Sequence, residues 1–212
     1  MLSSSLRPSI LLPLRPRALK KRHETIARAW FMPTETPALR IESFDPARHD
    51  RVGFDCGVAR LNNYLKLSAK KQQKDDMTRV YVVVEEGSTR ILGYHAINVG
   101  KMNVDELEHR PRGTPKHGEI PVLFLGQVAV DKSSQGTGLG GILMHHVFEK
   151  ACKVSELAGC HAIILDIISD GGEEALAHRR AWYENFGFTS FSSNPARMFL
   201  VMKQVRAVIR AK

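Results

Sequence analysis

Three cysteines in 212 residues, at positions 56, 152 and 160, are too few and too irregularly spaced to build a disulfide framework or a paired-thiolate metal site. Such usage fits a reducing, cytoplasmic interior, and no metal is expected. No apolar run approaches the roughly 20 residues that cross a bilayer, so no membrane-spanning helix is expected either. Acidic side chains are scarce at the start. Residues 1–31 hold Arg7, Arg15, Arg17, Lys20, Lys21, Arg22 and Arg28 against Glu24 alone, whereas the rest of the chain carries 24 basic and 21 acidic side chains. The net charge of +9 is therefore mostly local, and it argues only weakly for a polyanionic partner of the body. The first stretch also lacks the order of a secretory signal, because most of its positive charge follows its short apolar run at 10–12. Residues 1–37 read as a basic, disordered extension, with an Arg-rich organelle presequence compositionally compatible and Met32 an alternative start.

What remains suits one domain with a sizeable core. Alternation predicts a strand over 38–44, closed by Asp45-Pro46. Asp55 is placed to cap a helix carrying Val58, Leu61, Tyr64, Leu65 and Leu67. Lys66, Lys70, Lys71 and Lys74 lie near its end, where the helix dipole favours them, and Lys66 and Lys70 share a face that offers a patch to a polyanion. Residues 79–84 and 90–99 read as a hairpin about Gly87-Ser88. An irregular stretch, 100–119, carries Pro111, Gly113, Pro115 and Gly118. Residues 122–130 are almost continuously apolar, which predicts a central strand covered on both faces. Gly126 interrupts it, and a glycine inside a strand predicts a bulge or a close backbone approach. A helix over 138–155, a strand over 161–168, a Ser-Asp-Gly-Gly turn, a helix to about 185 and a strand over 197–202 follow, with 205–212 a short basic end.

The chemistry concentrates in residues 127–141, QVAVDKSSQGTGLGG, which read as strand, polar turn, glycine loop and helix start. N–H groups at a helix start have no partners within the helix, and glycines let a phosphate approach them. Two familiar phosphate loops do not fit. A P-loop needs Lys-Ser or Lys-Thr after its last glycine, and the spacing Gly136, Gly138, Gly140 is G-x-G-x-G rather than G-x-G-x-x-G.

Q-G-T-G-L-G, preceded by L-G-Q-V-A-V-D and followed by W-Y-E-N-F-G-F, resembles the acetyl-coenzyme A signature of the GNAT N-acetyltransferases. F-D-C-G-V-A-R-L-N-N-Y-L, residues 54–65, is similar to the toxin-like members of type II toxin–antitoxin pairs, and the resemblance spans about residues 39–203. It implies an α/β GNAT fold over 38–204, a mixed central sheet of about six or seven strands flanked by helices and splayed at the fourth strand. It also implies acetyl-coenzyme A as cosubstrate. The backbone of Val128, Ala129 and Val130 would hold the pantetheine and polarise the acetyl carbonyl, and Gln135, Gly136, Thr137, Gly138, Leu139, Gly140 and Gly141 would cradle the diphosphate. Tyr183 would be the catalytic side chain, protonating the departing thiolate or holding the thiol.

For the acceptor, the resemblance implies the α-amine of aminoacyl-tRNA, whose acetylation blocks translation. Lys66, Lys70, Lys71, Lys74 and Arg79 would hold phosphates, and Glu119 would orient the amine. Such relatives pair with a small ribbon-helix-helix antitoxin and are often dimers. A small-molecule or protein amine as acceptor, or a catalytically weak coenzyme- or antitoxin-binding protein, are the alternatives. No spacing selects a general base among Asp166, Asp170, Glu173, Glu174, His95, His117 and His161, and a water relay is the alternative. The chain departs from the toxin-like pattern at Gln127, where arginine is common, and at Leu176 and Arg179, where asparagine and alanine are.

Overall fold

A computed structural model describes residues 38–107 and 114–210. The readings made for residues 1–37, and for Pro111 and Gly113 of the irregular stretch, lie outside the described residues. Seven strands, β1 (Leu39–Ser43), β2 (Arg79–Glu85), β3 (Gly93–Asn103), β4 (Glu119–Val130), β5 (Ala162–Asp166), β6 (Thr189–Ser190) and β7 (Arg197–Val201), form one sheet in the order β1-β2-β3-β4-β5-β7-β6. All neighbours are antiparallel except β4 and β5, which run parallel. The crossover between that pair is α3 (Leu139–Ala158). The remaining helices are α1 (Ala59–Asn63) and α2 (Ala69–Lys74), joined by a π-helical turn at Tyr64–Ser68, then α4 (Gly172–Glu184) and α5 (Met202–Arg210).

Two irregularities in β4 position everything else. Ala96 of β3 pairs with Gln127 while Ile97 pairs with Leu125, so Gly126 is left over as a bulge. Because strand side chains alternate, the extra residue reverses their parity. Val128 thereby joins the same apolar layer as Leu123 and Leu125. The second irregularity is on the other side of the strand. β3 follows β4 as far as Val130, but β5 pairs with it only over Val122–Leu125. From Gly126 onward the sheet is open between β4 and β5, which is the splay expected of a GNAT sheet.

One face is covered by α3 through Leu143, Met144, Val147, Phe148 and Ala151. α5 adds Met202 and Val205 to that same layer, both buried. Residues 205–212, read from sequence as a basic tail, are thus helical up to Arg210, because Met202, Val205 and Ile209 fall on one face and seat a short helix on the α3 layer. On the opposite face Leu61, Leu65 and Ala69 cover Val80, Val82, Tyr94 and Ala96. Those three helical residues are four apart, a spacing that drifts about 40° per step in an α-helix. The wider π turn between α1 and α2 absorbs the drift and keeps all three inward.

Several local expectations are corrected. Asp55 does not cap α1. Val58 is the N-cap residue without a side-chain bond, and the Asp55 carboxylate is engaged elsewhere. Leu67 is exposed rather than inward, since the π turn rotates it outward. The loop of the hairpin is longer than predicted: β3 starts at Gly93, not at Arg90. Asp50 N–H donates to Thr89 O and Asp131 N–H to Leu92 O, tying this connection to other segments, while Leu92 N–H still donates to Val83 O of β2 at 2.9 Å. The two-residue strand β6 has no sequence signal of its own.

Candidate active site

The splay, the start of α3 and one side of α4 enclose a cavity of about 520 Å³. Val128, Ala129 and Val130 line it from β4. From the loop come Ser134, Gln135, Gly136 and Gly138, and from α3 Leu139, Gly140 and Gly141. α4 contributes His178, Arg179, Trp182 and Tyr183, and the segment before β2 contributes Cys56, Val58 and Leu61. Of the ten residues expected to hold the coenzyme, only Thr137 is outside this lining; its hydroxyl donates to Ser134 O at 2.7 Å and tightens the loop instead.

Gly138 is the N-cap residue of α3 with φ of 87°, a left-handed conformation that a side chain would strain. Among the described residues, the N–H groups of Gly136, Thr137, Gly138, Leu139 and Gly140 donate to no protein acceptor, and the first turn of α3 holds no acidic side chain. A row of free N–H groups at the positive end of a 20-residue helix can receive an anion such as a diphosphate. Gly140 serves a second purpose. A Cβ there would sit 3.0 Å from Cζ2 of Trp182, so its absence lets the indole of α4 close over the start of α3.

Tyr183 packs edge-on to Trp182 and Phe188, with ring centroids 4.9 and 5.9 Å away. Burial pushes its phenol pKa up, while the nearby Arg179 guanidinium opposes the shift. The hydroxyl lines the cavity, keeps its proton at working pH, and has no hydrogen-bond partner among the described residues. Arg179 itself has a structural role. Its guanidinium donates to the carbonyls of Ile168 (2.8 Å) and Asp170, holding the turn after β5 against α4.

The acidic and imidazole groups that sequence left in contention lie elsewhere. Asp166 forms a two-pronged pair with Arg197 at 2.8 and 3.1 Å. His161 shares a hydrogen bond of 3.0 Å with Thr114, and Glu119, at the far end of β4, accepts from Lys101 at 2.6 Å. His95 is fully buried and bonded to His146 at 2.8 Å. None of these lines the cavity. Lys66 is half-buried and Lys70, Lys71 and Lys74 are exposed. Among the described residues the four have no acidic partner, whereas Arg79 is paired with Asp76 at 2.8 Å. Cys56 and His178 are cavity residues that sequence reading missed, and Arg179, singled out there as a departure from the toxin-like pattern, joins them in the lining. The fragment Phe54 to Leu65 was the available signal for Cys56, but its reach to the glycine loop is a matter of tertiary structure.

A family model described as an acetyltransferase (GNAT) domain matches residues 77–190. The chain belongs to the GNAT acetyltransferases. It is 35% identical over 170 residues to the probable toxin TacT of Sinorhizobium fredii, covering 80% of this chain and 94% of that protein, which puts it in the toxin-like branch. It is 28% identical over 160 residues to a tRNA-acetylating toxin of Mycobacterium tuberculosis, over 76% of this chain and 90% of that one. A crystal structure of AtaTR bound with AcCoA superposes with a TM-score of 0.64 at 25% identity, over 81% of this chain and 98% of that chain. As a GNAT acetyltransferase the protein is an acetyl-coenzyme A-dependent N-acyltransferase. The residues present suit that cosubstrate: free N–H groups for a diphosphate, an open strand edge for the amides of pantetheine, and a protonated phenol beyond it.

Proposed function

We propose that this GNAT acetyltransferase transfers the acetyl group of acetyl-coenzyme A to the α-amine of an aminoacyl-tRNA and thereby blocks translation. The observation that carries the proposal is the cavity at the splay of β4 and β5, with the free N–H row at one side and the unpartnered Tyr183 hydroxyl at another, in a chain 35% identical to a probable TacT toxin. Acetyl-coenzyme A supplies an activated acyl group, and the protein supplies placement. The N–H row fixes the diphosphate, so binding remote from the reacting carbon holds the thioester still. Those backbone N–H groups of Val128 to Val130 that face the splay polarise the carbonyl oxygen. The amine nitrogen bonds to the carbonyl carbon, the carbon–sulfur bond breaks, and the Tyr183 hydroxyl donates to the departing sulfur. An α-amine with a pKa of roughly 7.7–8.0 is partly neutral at physiological pH, so a water relay suffices as base.

The unpaired lysines at 66, 70, 71 and 74 supply positive charge for RNA phosphates, contacts that position an RNA without reading its bases. A ribbon-helix-helix antitoxin is the expected protein partner, a homodimer the expected state and the cytoplasm the expected site. No described helix is long and apolar enough to cross a membrane. The test is transfer of labelled acetyl from acetyl-coenzyme A to a fully charged tRNA pool, with uncharged tRNA as control. Label on the aminoacyl groups supports the proposal. Label only on free amines or peptides overturns the acceptor and leaves the acetyltransferase standing.

A further inference from the structure

The fragment Phe54 to Asn63 and the loop after β4 are joined by four hydrogen bonds. Asp55 N–H donates to Asp131 Oδ2 at 3.0 Å, Lys132 N–H to Asp55 O at 2.8 Å, Lys132 Nζ to Asp55 Oδ2 at 2.8 Å, and Gln135 Nε2 to Cys56 O at 3.0 Å. The second oxygen of each carboxylate is bound chiefly within its own segment, with Arg90 Nη2 also donating to Asp131 Oδ1 at 3.4 Å. Asp131 Oδ1 accepts from Ser133 N–H at 3.0 Å and Ser133 Oγ at 2.7 Å. Asp55 Oδ1 accepts from Gly57 N–H at 2.8 Å and Asn62 Nδ2 at 2.7 Å, and Asn62 Oδ1 in turn accepts from Cys56 N–H at 2.9 Å. Burial of Asp131 opposes its ionisation, but the bonds from Asp55 and Ser133 outweigh it and hold the carboxylate charged. Asp131 is nearly fully buried, so its carboxylate is a fixed anchor rather than a surface charge.

None of Asp55, Asp131 and Lys132 lines the cavity, yet the segments they join form two of its sides. We propose that Asp55 and Asp131 are positioning residues for the coenzyme: they staple the diphosphate loop to the segment before α1, so that the N–H row of residues 136–140 is aimed before acetyl-coenzyme A arrives. The proposal rests on the coenzyme reading of this cavity. A loop held in its binding conformation incurs no ordering cost on association, and a freed one incurs it at every binding event. The sign of the effect separates the staple from simple electrostatics. Both residues are anions close to the site of a polyanion, so neutralising either should tighten binding if charge alone matters. The staple requires the opposite. Whichever way the new amide is turned, its N–H₂ faces a donor: in Asp131→Asn the N–H of Asp55 or of Ser133, and in Asp55→Asn the Lys132 ammonium or the N–H groups of Gly57 and Asn62; in each case a bond of the staple is replaced by two opposed donors.

The experiment is calorimetric binding of acetyl-coenzyme A to wild type, Asp131→Asn and Asp55→Asn, with melting temperature and turnover at saturating coenzyme measured alongside. The expected result is a dissociation constant raised about tenfold in each variant, with saturated turnover within about threefold of wild type. Asp55 is half-exposed, so its variant folds even where the buried Asp131 variant does not. Unchanged or tighter binding in a folded variant, with only the melting temperature lowered, overturns the proposal. Wild type that does not bind acetyl-coenzyme A overturns the coenzyme reading itself, and the staple with it.

Discussion

Tyr183 is half-buried in an aromatic cluster beside the cavity, and its hydroxyl has no protein partner among the described residues, so a ligand in the cavity can take it. Tyr183→Phe keeps the ring and its packing while removing only the hydroxyl. The expected outcome is a loss of saturated turnover of about 10²–10⁴ with the acetyl-coenzyme A dissociation constant nearly unchanged, measured by steady-state kinetics and calorimetry on the same preparation. Because no protein group bonds that hydroxyl, the melting temperature should hold. Equal losses in coenzyme affinity and turnover would instead assign the hydroxyl to binding. Tyr183 was legible because W-Y-E-N-F-G-F places an aromatic pair before a glycine turn. Cys56 was not, because its place in the cavity depends on hydrogen bonds between segments far apart in sequence, and His178, one turn before Trp182 on α4, carries no motif of its own. Asp55 shows the same limit from the other direction: read locally it is a helix cap, and in three dimensions its preferred donors are Lys132, Gly57 and Asn62.

Elements are joined by a few discrete contacts, and one of them titrates. His95 of β3 and His146 of α3 share a 2.8 Å hydrogen bond beneath Tyr81, to which His95 stacks at 5.1 Å. Burial, reinforced by the neighbouring imidazole and Lys150, lowers the His95 pKa to about 3, and burial followed by Lys150 lowers that of His146 to about 4. Both folded-state values lie below the ordinary 6.5, so the unfolded chain takes up these protons first. Stability from the pair is therefore fully present above about pH 6.5 and is lost as pH falls towards 4, at no more than about 1.4 kcal/mol per proton and pH unit. Urea unfolding at pH 7, 5.5 and 4.5 should show this slope, and His146→Gln should make it shallower. α5 offers a test of packing alone. Val205 is buried against the α3 layer, and Val205→Ala should cost about 2 kcal/mol in the same measurement without changing coenzyme affinity. The central strand, α3 and α4 were readable because each carries its own long apolar pattern or glycine boundary. β6 was not, since two residues hold too little pattern to stand apart from loop, and α5 was missed although Met202, Val205 and Ile209 recur at helical spacing, because it runs on from β7 with no turn residue to mark its start. The π turn is a third case: four-residue spacing at Leu61, Leu65 and Ala69 points to a helix, but only the sheet beneath decides that all three stay inward.

For the molecule as a whole, charge decides which acceptors approach. Balanced charge over residues 32–212 hides a local imbalance, for Lys66, Lys70, Lys71 and Lys74 gather on and after one π turn with no acidic partner among the described residues, while Leu67 beside them is exposed. A single exposed lysine adds little affinity for an RNA, but four on one short helical stretch release several counterions together. Removing one lysine–phosphate pairing should lower the slope of log affinity against log salt by about 0.7–0.9. Lys70→Gln with Lys71→Gln, both exposed and neither in the cavity lining, should leave acetyl-coenzyme A binding unchanged. The same pair should weaken aminoacyl-tRNA binding, and lower its salt slope by between one and two, in filter-binding titrations across a salt series. A small-amine or peptide acceptor carries no such run of phosphates, so transfer to it should be indifferent to both the salt and the substitutions. An unchanged slope in the double variant would place the RNA on another face of the protein, and the lysines would then be no more than the favoured charge at the end of a helix.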